Sequence, residues 1–486
     1  MAMGNRPNLL LVMSDQHHPR MTGYAGHPTV STPSLDALAA RGTVFTDAYC
    51  TSPICVPSRA SLATGRYVHE IGAWDNAAPY AGVPNSWGHE LDAAGYRVTT
   101  IGKLHHLAGS DDGFVDQRLA MHVHGLGDLR GVAMRPEGGP LPASPGLRNL
   151  LDAGPGHSDY TRYDREVADA SVAYLRDEVD ERPFALMVSF VSPHFPLIAP
   201  EEFLDLYADV DVDPSADDGS AWDHPAVDVF RQGFGLTRDL TRDEQRTALR
   251  AYLALCSYLD AQVGRVLSAL DASGHADDTL IVYSSDHGES AGAHGLWFKH
   301  LMNEESVGVP LVIAGPGVAS GVEVTTPVSQ VDLFPTFMQW TGVTPADDGP
   351  RPGRSLLDPT AHAELDRPVF AEYHANVTIS ATFMLRDGDV KYIEYVGERP
   401  QLFDLSTDPD ELTDLAALPE YAPRLAACAA RLRDICDPIE VDGMAKADQA
   451  RRVEIVGGIE AAANHTVPYT PVPTSVPEQA EPDAVE

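Results

Sequence analysis

The sequence contains little cysteine, little lysine and no long apolar run. Its five cysteines are scattered among 486 residues without CxxC spacing, which argues against a disulfide framework or a zinc ribbon. No run reaches the roughly 18 apolar residues of a membrane-spanning helix. The early segment NLLLVM is too short for the apolar region of a signal peptide, so we interpret it as a strand and expect a cytoplasmic protein.

Positive charge is also scarce. Lysine and arginine total 34 against 71 acidic residues, which gives a net charge of -37 and a pI near 4.7. This balance argues against nucleic acid or an anionic membrane as a partner. An anionic substrate would need cations gathered within a Debye length of about 8 Å. The few lysines are therefore informative; they are Lys103, Lys299, Lys391 and Lys446.

Helices and apolar strands alternate along most of the chain. The segment NLLLVMSDQ predicts a buried strand that leads into a polar loop, and HELDAAGYRVTTIGKLHH predicts a helix, a strand and another polar loop. From Arg242 to Leu270 the apolar residues recur in steps of three and four, which indicates a long amphipathic helix. The alternation predicts an α/β fold with a large mixed, mostly parallel sheet between layers of helices.

The chain is too long for one ordinary core, so we expect a large domain and a smaller one. After residue 366 short alternating segments predict an antiparallel sheet within a small α+β domain. The last stretch is rich in proline and acidic residues. We predict an N-terminal catalytic domain over 1–365, a C-terminal domain over 366–440, and an arm over 441–486 as a candidate oligomer contact.

Four polar residues follow two of the predicted strands, at the edge where ligands bind in parallel sheets. They are Asp15, Gln16, Asp286 and His287. Oxygen ligands with one imidazole and no thiolate cluster suit calcium, magnesium or manganese better than zinc. Each residue alone could simply cap a loop, but together they predict a site for one divalent metal ion, with calcium the first expectation.

Cations and histidines occur in neighbouring loops. Lys103 and Lys299 are two of only four lysines, which favours positions that need a point charge. His105 and His194 follow predicted strands and are candidates for a general base and a general acid. Each histidine alone could equally be structural.

The segment CVPSRASLATGR begins at Cys55 and favours a helix, with Pro57 in its first turn. A cysteine at a helix N-terminus can be reactive, although a buried structural cysteine is the ordinary alternative. The pattern Cys-x-Pro-Ser-Arg, followed by Thr64-Gly65-Arg66, resembles the signature of the sulfatase family within the alkaline phosphatase superfamily. The segments SDQ, GKLH, SPHFP, SDHGE and GLWFK continue the resemblance in the same order along the chain.

The resemblance implies an alkaline-phosphatase-like fold and hydrolysis of a small sulfate ester. Cys55 would be oxidised to formylglycine by a formylglycine-generating or sulfatase-maturing enzyme, and its hydrate would attack sulfur to form a covalent sulfo-enzyme. The resemblance also implies a role for each matching position, and the implied metal ligands are Asp15, Gln16, Asp286, His287 and modified Cys55. Arg59 and Lys103 would contact the diol, and His105 would be the base. His194 and Lys299 would bind the sulfate and protonate the leaving group.

Within the family, the segment GAWDNAAPY and the C-terminal sequence look most like the choline-sulfatase-like branch. This likeness implies a homodimer or homotetramer and makes Asp75 and Asn76 candidates for substrate binding. Asn376 stands where that branch carries an acidic residue for a quaternary ammonium group, and Glu372 is nearby. Choline-O-sulfate, an aryl sulfate and another small alkyl sulfate are therefore all candidate substrates.

Two other functions compete with sulfate-ester hydrolysis. An Asp-His pair such as Asp286-His287 also occurs in the phosphonate monoester and phosphodiester hydrolases of the superfamily, which makes these the second hypothesis. The third hypothesis is a non-catalytic binder that retains the fold with Cys55 unmodified.

Overall fold

The computed structural model describes residues 6–133, 135, 145–179, 182–210, 219–236, 238–346, 348–358 and 367–465. Within these ranges the strands are β1 (Asn8–Asp15), β2 (Gly42–Phe45), β3 (Ala48–Tyr49), β4 (Arg97–Leu107), β5 (Asp116–Val123), β6 (Gly154–Pro155), β7 (Phe184–Pro193), β8 (Ile198–Ala199), β9 (Thr279–Ser285), β10 (Leu311–Ala314), β11 (Val322–Val324), β12 (Val328–Ser329), β13 (Val369–Tyr373), β14 (Thr382–Asp387), β15 (Val390–Tyr395) and β16 (Gln401–Asp404).

The α-helices of the same ranges connect and cover these strands. They are α1 (Pro33–Ala40), α2 (Cys55–Thr64), α3 (Val68–Ile71), α4 (Trp87–Ala93), α5 (Leu129–Ala133), α6 (Gly146–Leu151), α7 (Asp159–Asp177), α8 (Glu201–Leu204), α9 (Pro225–Gly233), α10 (Arg242–Ser273), α11 (Glu304–Val307), α12 (Leu333–Thr341), α13 (Ala422–Ile435), α14 (Pro438–Ile455) and α15 (Ile459–Ala463).

An eight-stranded mixed sheet forms the larger part of the molecule, in the order β11-β2-β10-β9-β1-β7-β4-β5. The neighbours β9, β1, β7, β4 and β5 are mutually parallel, whereas β10 runs antiparallel to both β9 and β2. The predicted fold class is confirmed. Because the five parallel strands end at one edge, the polar residues at their carboxyl ends come together there.

Helices cover both faces of this sheet. Along β1, Leu9 and Leu11 belong to one apolar core and Leu10 and Val12 to the other, as the two-residue period of a strand requires. Every residue of β1 is buried. A strand that is covered on both faces has a continuous run of apolar residues. NLLLVM therefore has neither the alternating pattern of a half-exposed strand nor the three- and four-residue spacing of an amphipathic helix.

Helix α10 is the long amphipathic helix that the sequence predicts, and its ends follow local rules. Thr241 accepts a hydrogen bond from the Glu244 amide, while the Glu244 carboxylate accepts one from the Thr241 amide, which forms a capping box. Gly274 ends the helix with a positive φ of 81°. The helix packs against α1, α7 and β7 and so covers one face of the sheet.

A second sheet follows in the order β13-β14-β15-β16 and is antiparallel throughout. It packs against α13 and α14 around a core that includes Phe383 and Leu432. The predicted boundary between 365 and 366 lies outside the described residues, and so do residues 466–486 of the predicted arm. The predicted boundary between 440 and 441 falls inside α14.

Among the described residues, none of the helices combines the length and the apolar character that crossing a membrane requires.

Candidate active site

The site lies at the carboxyl edge of the parallel strands. Asp15 ends β1, and Asp286 follows β9, the parallel neighbour of β1. Gln16 turns the chain away from the sheet with φ of 65°, a conformation that a residue other than glycine seldom adopts. His194 comes directly after β7 on the other side of β1.

Four side chains form a buried cluster with the geometry to hold a metal ion. They are Asp15, Cys55, Asp286 and His287, whose ligand atoms all lie within 4.8 Å of one another. His287 Nδ1 is 3.0 Å from the Gly288 carbonyl oxygen. Since a carbonyl oxygen can only accept, Nδ1 carries the hydrogen and Nε2 presents its lone pair to the cluster. Burial lowers the pKa of His287 to about 4, so the ring is neutral at neutral pH.

The charge state of Asp15 is set by its neighbours. Burial favours the neutral acid, but Lys103 and the nearby histidines and Lys299 outweigh it and hold the pKa of Asp15 well below its usual value. The Lys103 ammonium is in direct contact with the Asp15 carboxylate. Burial opposes the charge on Lys103 in turn, and Asp15 outweighs that effect and raises the pKa of the lysine. Both groups are therefore ionised within the core.

Cys55 occupies the first turn of α2 and is only 1% exposed. Its Sγ is 3.3 Å from His287 Nε2, 3.7 Å from Asp15 Oδ1 and 3.8 Å from Lys299 Nζ. Burial and the Asp15 carboxylate raise the pKa of the thiol to about 11. Position 55 is thus buried among ionic groups rather than in apolar packing.

Arg59 lies on the same helix, one turn after Cys55. Its Nε donates to Asp286 Oδ2 at 2.8 Å, and one terminal nitrogen donates to the Lys103 carbonyl oxygen at 2.8 Å and to Ser189 Oγ at 2.9 Å. Burial opposes its charge, but Asp286 outweighs that effect and raises the pKa. The guanidinium thereby connects α2 to β4, β7 and the loop after β9.

Lys299 reaches the cluster from the loop after β9. Its Nζ donates to Gln16 Oε1 at 2.5 Å and lies 5.4 Å from the centre of the Phe195 ring. Gln16 Nε2 in turn donates to the Glu289 carboxylate. Gln16 is therefore oriented by two charged groups, with its amide oxygen facing the Lys299 ammonium.

One predicted catalytic histidine, His105, lies within β4, and the other, His194, directly follows the neighbouring strand β7. Burial and Lys299 keep the pKa of His194 well below its usual value, and its Nδ1 is 2.6 Å from the Phe195 carbonyl oxygen. Burial and Lys103 likewise keep the pKa of His105 well below its usual value. Both rings are therefore neutral at neutral pH.

The segment GKLHH is not a loop, contrary to our interpretation of the sequence. Lys103 and His105 lie within β4, which continues to Leu107. Pairing of β4 with β7 ends at Gly102, after which β4 pairs only with β5 and its register shifts. His105 has φ of 62°. The irregular backbone turns these side chains towards the site even though the strand does not end.

The three predicted substrate-binding residues have clear local contacts. Asn76 Oδ1 accepts from the Val56 amide at 3.2 Å. Asp75 Oδ2 accepts from Gln449 Nε2 at 2.7 Å. Asn376 Oδ1 and its carbonyl oxygen accept from the Tyr373 hydroxyl at 3.1 and 2.8 Å. Their contact with a substrate stays a prediction.

Two models of known families match the chain. The model described as sulfatase matches residues 7–343. The model described as the C-terminal part of N-sulphoglucosamine sulphohydrolase matches residues 292–437.

The chain belongs to the sulfatase family. As the sequence predicted, the protein is a sulfuric ester hydrolase.

The relatives of this sulfatase match it over most of their length. It is 32% identical to the choline-sulfatase of Rhizobium meliloti (strain 1021), with 96% of this chain and 94% of the relative covered. It is 32% identical to arylsulfatase K of Bos taurus, with 87% and 81% covered. The crystal structure of the phosphonate monoester hydrolase of Agrobacterium radiobacter superimposes with a TM-score of 0.70 at 25% identity, covering 91% of this chain and 96% of the other.

Sequence reasoning missed several residues that shape the site of this sulfatase. The Glu289 carboxylate accepts a hydrogen bond from Gln16, and Ser189 Oγ accepts one from Arg59. Tyr160, at the start of α7, packs edge-on against His194 with ring centres 6.0 Å apart. Glu289 lies within the segment SDHGE, but the motif gave it no role. Tyr160 and Ser189 lie in segments with no distinctive pattern.

Proposed function

We propose that this sulfatase hydrolyses a small-molecule sulfate ester to an alcohol and inorganic sulfate through formylglycine formed from Cys55, with a covalent sulfo-enzyme as intermediate. The observation that carries the proposal is the position of residue 55. Its side chain adjoins the Asp15, Asp286 and His287 cluster and the Lys299 ammonium. A formylglycine there would hold its reacting oxygen among the groups that bind a sulfuryl group.

The cluster fits a divalent metal ion by the chemistry of its donors. Two carboxylates and the unprotonated Nε2 of His287 are hard or intermediate ligands that suit calcium, and manganese or magnesium as alternatives. Asp15, Asp286, His287 and the modified residue 55 would hold the ion, with Gln16 as a further candidate. The ion would supply Lewis-acid stabilisation of negative charge and would lower the pKa of the nucleophile.

The protein's own cations form the rest of the binding site. Arg59, Lys103 and Lys299 are all nearly fully buried and surround position 55. In a dry site these charges stabilise the sulfuryl oxygens far more than they would in water. They give a strongly acidic protein a local site for an anion.

Lys299 and His105 carry the two proton transfers. Because His194 is neutral before substrate binds, Lys299 is the group that brings a proton to the departing alcohol oxygen, and His194 helps to bind the sulfate. His105 is also neutral, so it can accept a proton from the second hydroxyl of residue 55 when sulfate is released.

We propose an aryl or small alkyl sulfate as substrate ahead of choline-O-sulfate. The similarity to a choline-sulfatase supports choline-O-sulfate. However, Glu372 accepts from His69 Nδ1 at 2.8 Å and from His374 Nε2 at 2.8 Å, so its carboxylate is already occupied. Asn376 is neutral. Neither residue therefore offers a free carboxylate to a quaternary ammonium group.

A phosphonate monoester or phosphodiester is the second candidate substrate. It is favoured by the fold shared with a phosphonate monoester hydrolase and by the Asp286-His287 pair. The same cations would bind a phosphoryl group.

Two measurements test the proposal. Mass spectrometry of the peptide that contains residue 55, from a host that matures sulfatases, should show the aldehyde or its hydrate. Matched nitrophenyl sulfate and phenylphosphonate esters should then give a higher kcat/KM for the sulfate, with a Cys55→Ala variant as background. A higher kcat/KM for the phosphonate would favour the second candidate, and a thiol without turnover would favour a non-catalytic binder.

We also propose two protein partners, a further copy of this chain and a maturing enzyme. We propose that the protein forms a homodimer or homotetramer; the exposed Ile439, Ile455 and Ile459 on the C-terminal helices support this. Light scattering after size exclusion tests it, and a monomer at micromolar concentration would contradict it. A formylglycine-generating or sulfatase-maturing enzyme is the other proposed partner. The cytoplasmic location stays a prediction.

A further inference from the structure

The start of the helix that carries residue 55 is capped by a residue from another loop. Ile54, at the N-cap position, has no side-chain acceptor, and Pro57 has no amide hydrogen. The Val56 amide therefore needs an acceptor from outside the helix. Asn76 Oδ1 provides it at 3.2 Å. The position of Asn76 thus bears directly on the first turn of α2.

The turn that contains Asn76 is fastened to the C-terminal helix α14. Within the turn, Asp75 Oδ1 accepts from the Ala77 amide at 2.7 Å, which closes the turn. The other carboxylate oxygen, Asp75 Oδ2, accepts from Gln449 Nε2 of α14 at 2.7 Å. Arg452, one turn further along α14, donates to the Ala77 carbonyl oxygen. Two side chains of one helix therefore contact the two residues on either side of Asn76.

Gln449 has a single orientation in this contact. Its Nε2 donates to the His374 carbonyl oxygen at 2.7 Å as well as to Asp75, and its Oε1 accepts from Arg135 at 2.6 Å. An exchange of the amide nitrogen and oxygen would place donor against donor and acceptor against acceptor. The side chain is 3% exposed, so water cannot easily replace a lost partner.

We propose that Gln449 is a positioning residue for the nucleophile at position 55, acting through Asp75 and Asn76. The inference rests on the proposed function, in which residue 55 attacks sulfur. A displacement of about 1 Å at a reacting group can cost about 100-fold in rate. The Asp128 amide donates to the Asn76 carbonyl oxygen at 3.2 Å, but the side-chain hydrogen bonds to Asp75 and Ala77 come from α14, so a change in α14 should shift the start of α2.

The proposal differs from a direct substrate contact in its kinetic signature. A residue that binds the substrate equally in the ground state and the transition state changes KM. A residue that only positions the nucleophile lowers kcat and leaves KM nearly unchanged. Loss of folded protein also lowers the apparent kcat at unchanged KM, so the folded fraction of each variant is taken from its thermal transition and the rate is divided by it.

A donor–acceptor exchange between positions 75 and 449 provides the test. Gln449→Glu places a carboxylate against that of Asp75, and Asp75→Asn places an amide nitrogen against that of Gln449. Each single change should lower kcat by about ten-fold or more, with KM changed by less than about two-fold. In the double variant the new amide donates to the new carboxylate, which still accepts from Arg135, while the hydrogen bond from position 449 to the His374 carbonyl oxygen stays lost. We therefore expect kcat to recover in part, to a value above that of the slower single variant.

The rates are measured with nitrophenyl sulfate and divided by the fraction of residue 55 that mass spectrometry finds modified. Glu454→Gln, on the exposed face of the same helix, is the matched control and should keep the wild-type kcat. Single variants with wild-type kcat, a change confined to KM, or a double variant no faster than the slower single variant would each overturn the proposal. A wild-type protein with modified residue 55 and no turnover would instead refute the proposed function, and this inference with it.

Discussion

Position 55 combines deep burial with polar surroundings. Its nearest side chains are an imidazole, a carboxylate and an ammonium rather than the aliphatic groups that surround a structural cysteine. By contrast, Cys428 belongs to the apolar core of the C-terminal sheet. The two cysteines share burial but differ in what their side chains contact, so they should respond differently to the same substitution.

Cys55→Ala should abolish sulfate-ester hydrolysis and leave the protein folded. The change removes the proposed nucleophile, whereas the thiol at this position contributes little to apolar packing, so we expect a kcat decrease of more than about 1,000-fold and a cooperative thermal transition. Cys428→Ala is the control and should keep kcat while it lowers the Tm, because it leaves a space in an apolar core. Loss of the cooperative transition in Cys55→Ala would show that the residue is structural.

Hydrogen bonds from buried side chains join separate elements in this protein. Glu372 in β13 accepts from the His69 amide at 2.9 Å and from His69 Nδ1 at 2.8 Å, which fastens α3 to the second sheet. Burial opposes the charge on Glu372, but His69 and His374 outweigh it and lower the pKa to about 2. The carboxylate is therefore stabilised in the folded state.

Glu372→Gln should destabilise the protein at neutral pH, and by less as the pH falls. The pKa of Glu372 is depressed on folding, so its contribution is complete above the ordinary value of 4.5 and is lost as the pH falls towards about 2. Denaturant unfolding of both proteins at neutral pH and near pH 3 measures the difference. A difference in unfolding free energy that is constant with pH would contradict the assignment.

The strands and their terminal residues were predictable because the signals are local. NLLLVM and the apolar run of β9 are separated from Asp15 and Asp286 by one and two serines, and parallel strands bring such ends to the same edge of the sheet whatever their order. The order of strands was not predictable, because it depends on packing between distant segments.

Gln449 was missed because its partner is also distant: it lies 374 positions from Asp75 along the chain, and a glutamine in a helix has no pattern that indicates a distant partner. His105 was misplaced because a strand can remain paired on one side after losing its other neighbour.

The whole molecule is strongly acidic, yet its site concentrates positive charge beside a cluster of carboxylates. Two carboxylates within one buried cluster repel each other unless cations compensate for them. Lys103 and Arg59 pair with these two carboxylates one to one. A divalent ion would bind through the ligand atoms that the cluster brings together, and since those atoms are assembled only in the folded protein, the ion should stabilise the fold.

Removal of divalent metal should lower both the Tm and the activity. An ion that binds only the folded state stabilises it by about 4 kcal/mol when its concentration is 1,000 times its Kd. Differential scanning calorimetry of protein dialysed against chelator should show a lower Tm, and added calcium should restore it along with kcat. Protein with chelator already saturated by calcium is the control. An unchanged Tm and full turnover after chelation would refute the metal assignment.

The burial of α2 has a consequence for the proposed conversion of Cys55 to formylglycine. Cys55 is 1% exposed, Ser58 is fully buried and Arg59 is 3% exposed, so a second enzyme could not bind this segment in the folded protein. The proposed oxidation would therefore have to come before the chain folds around position 55. A chain that folded first would keep the thiol, and a maturing enzyme added later would activate it only after unfolding.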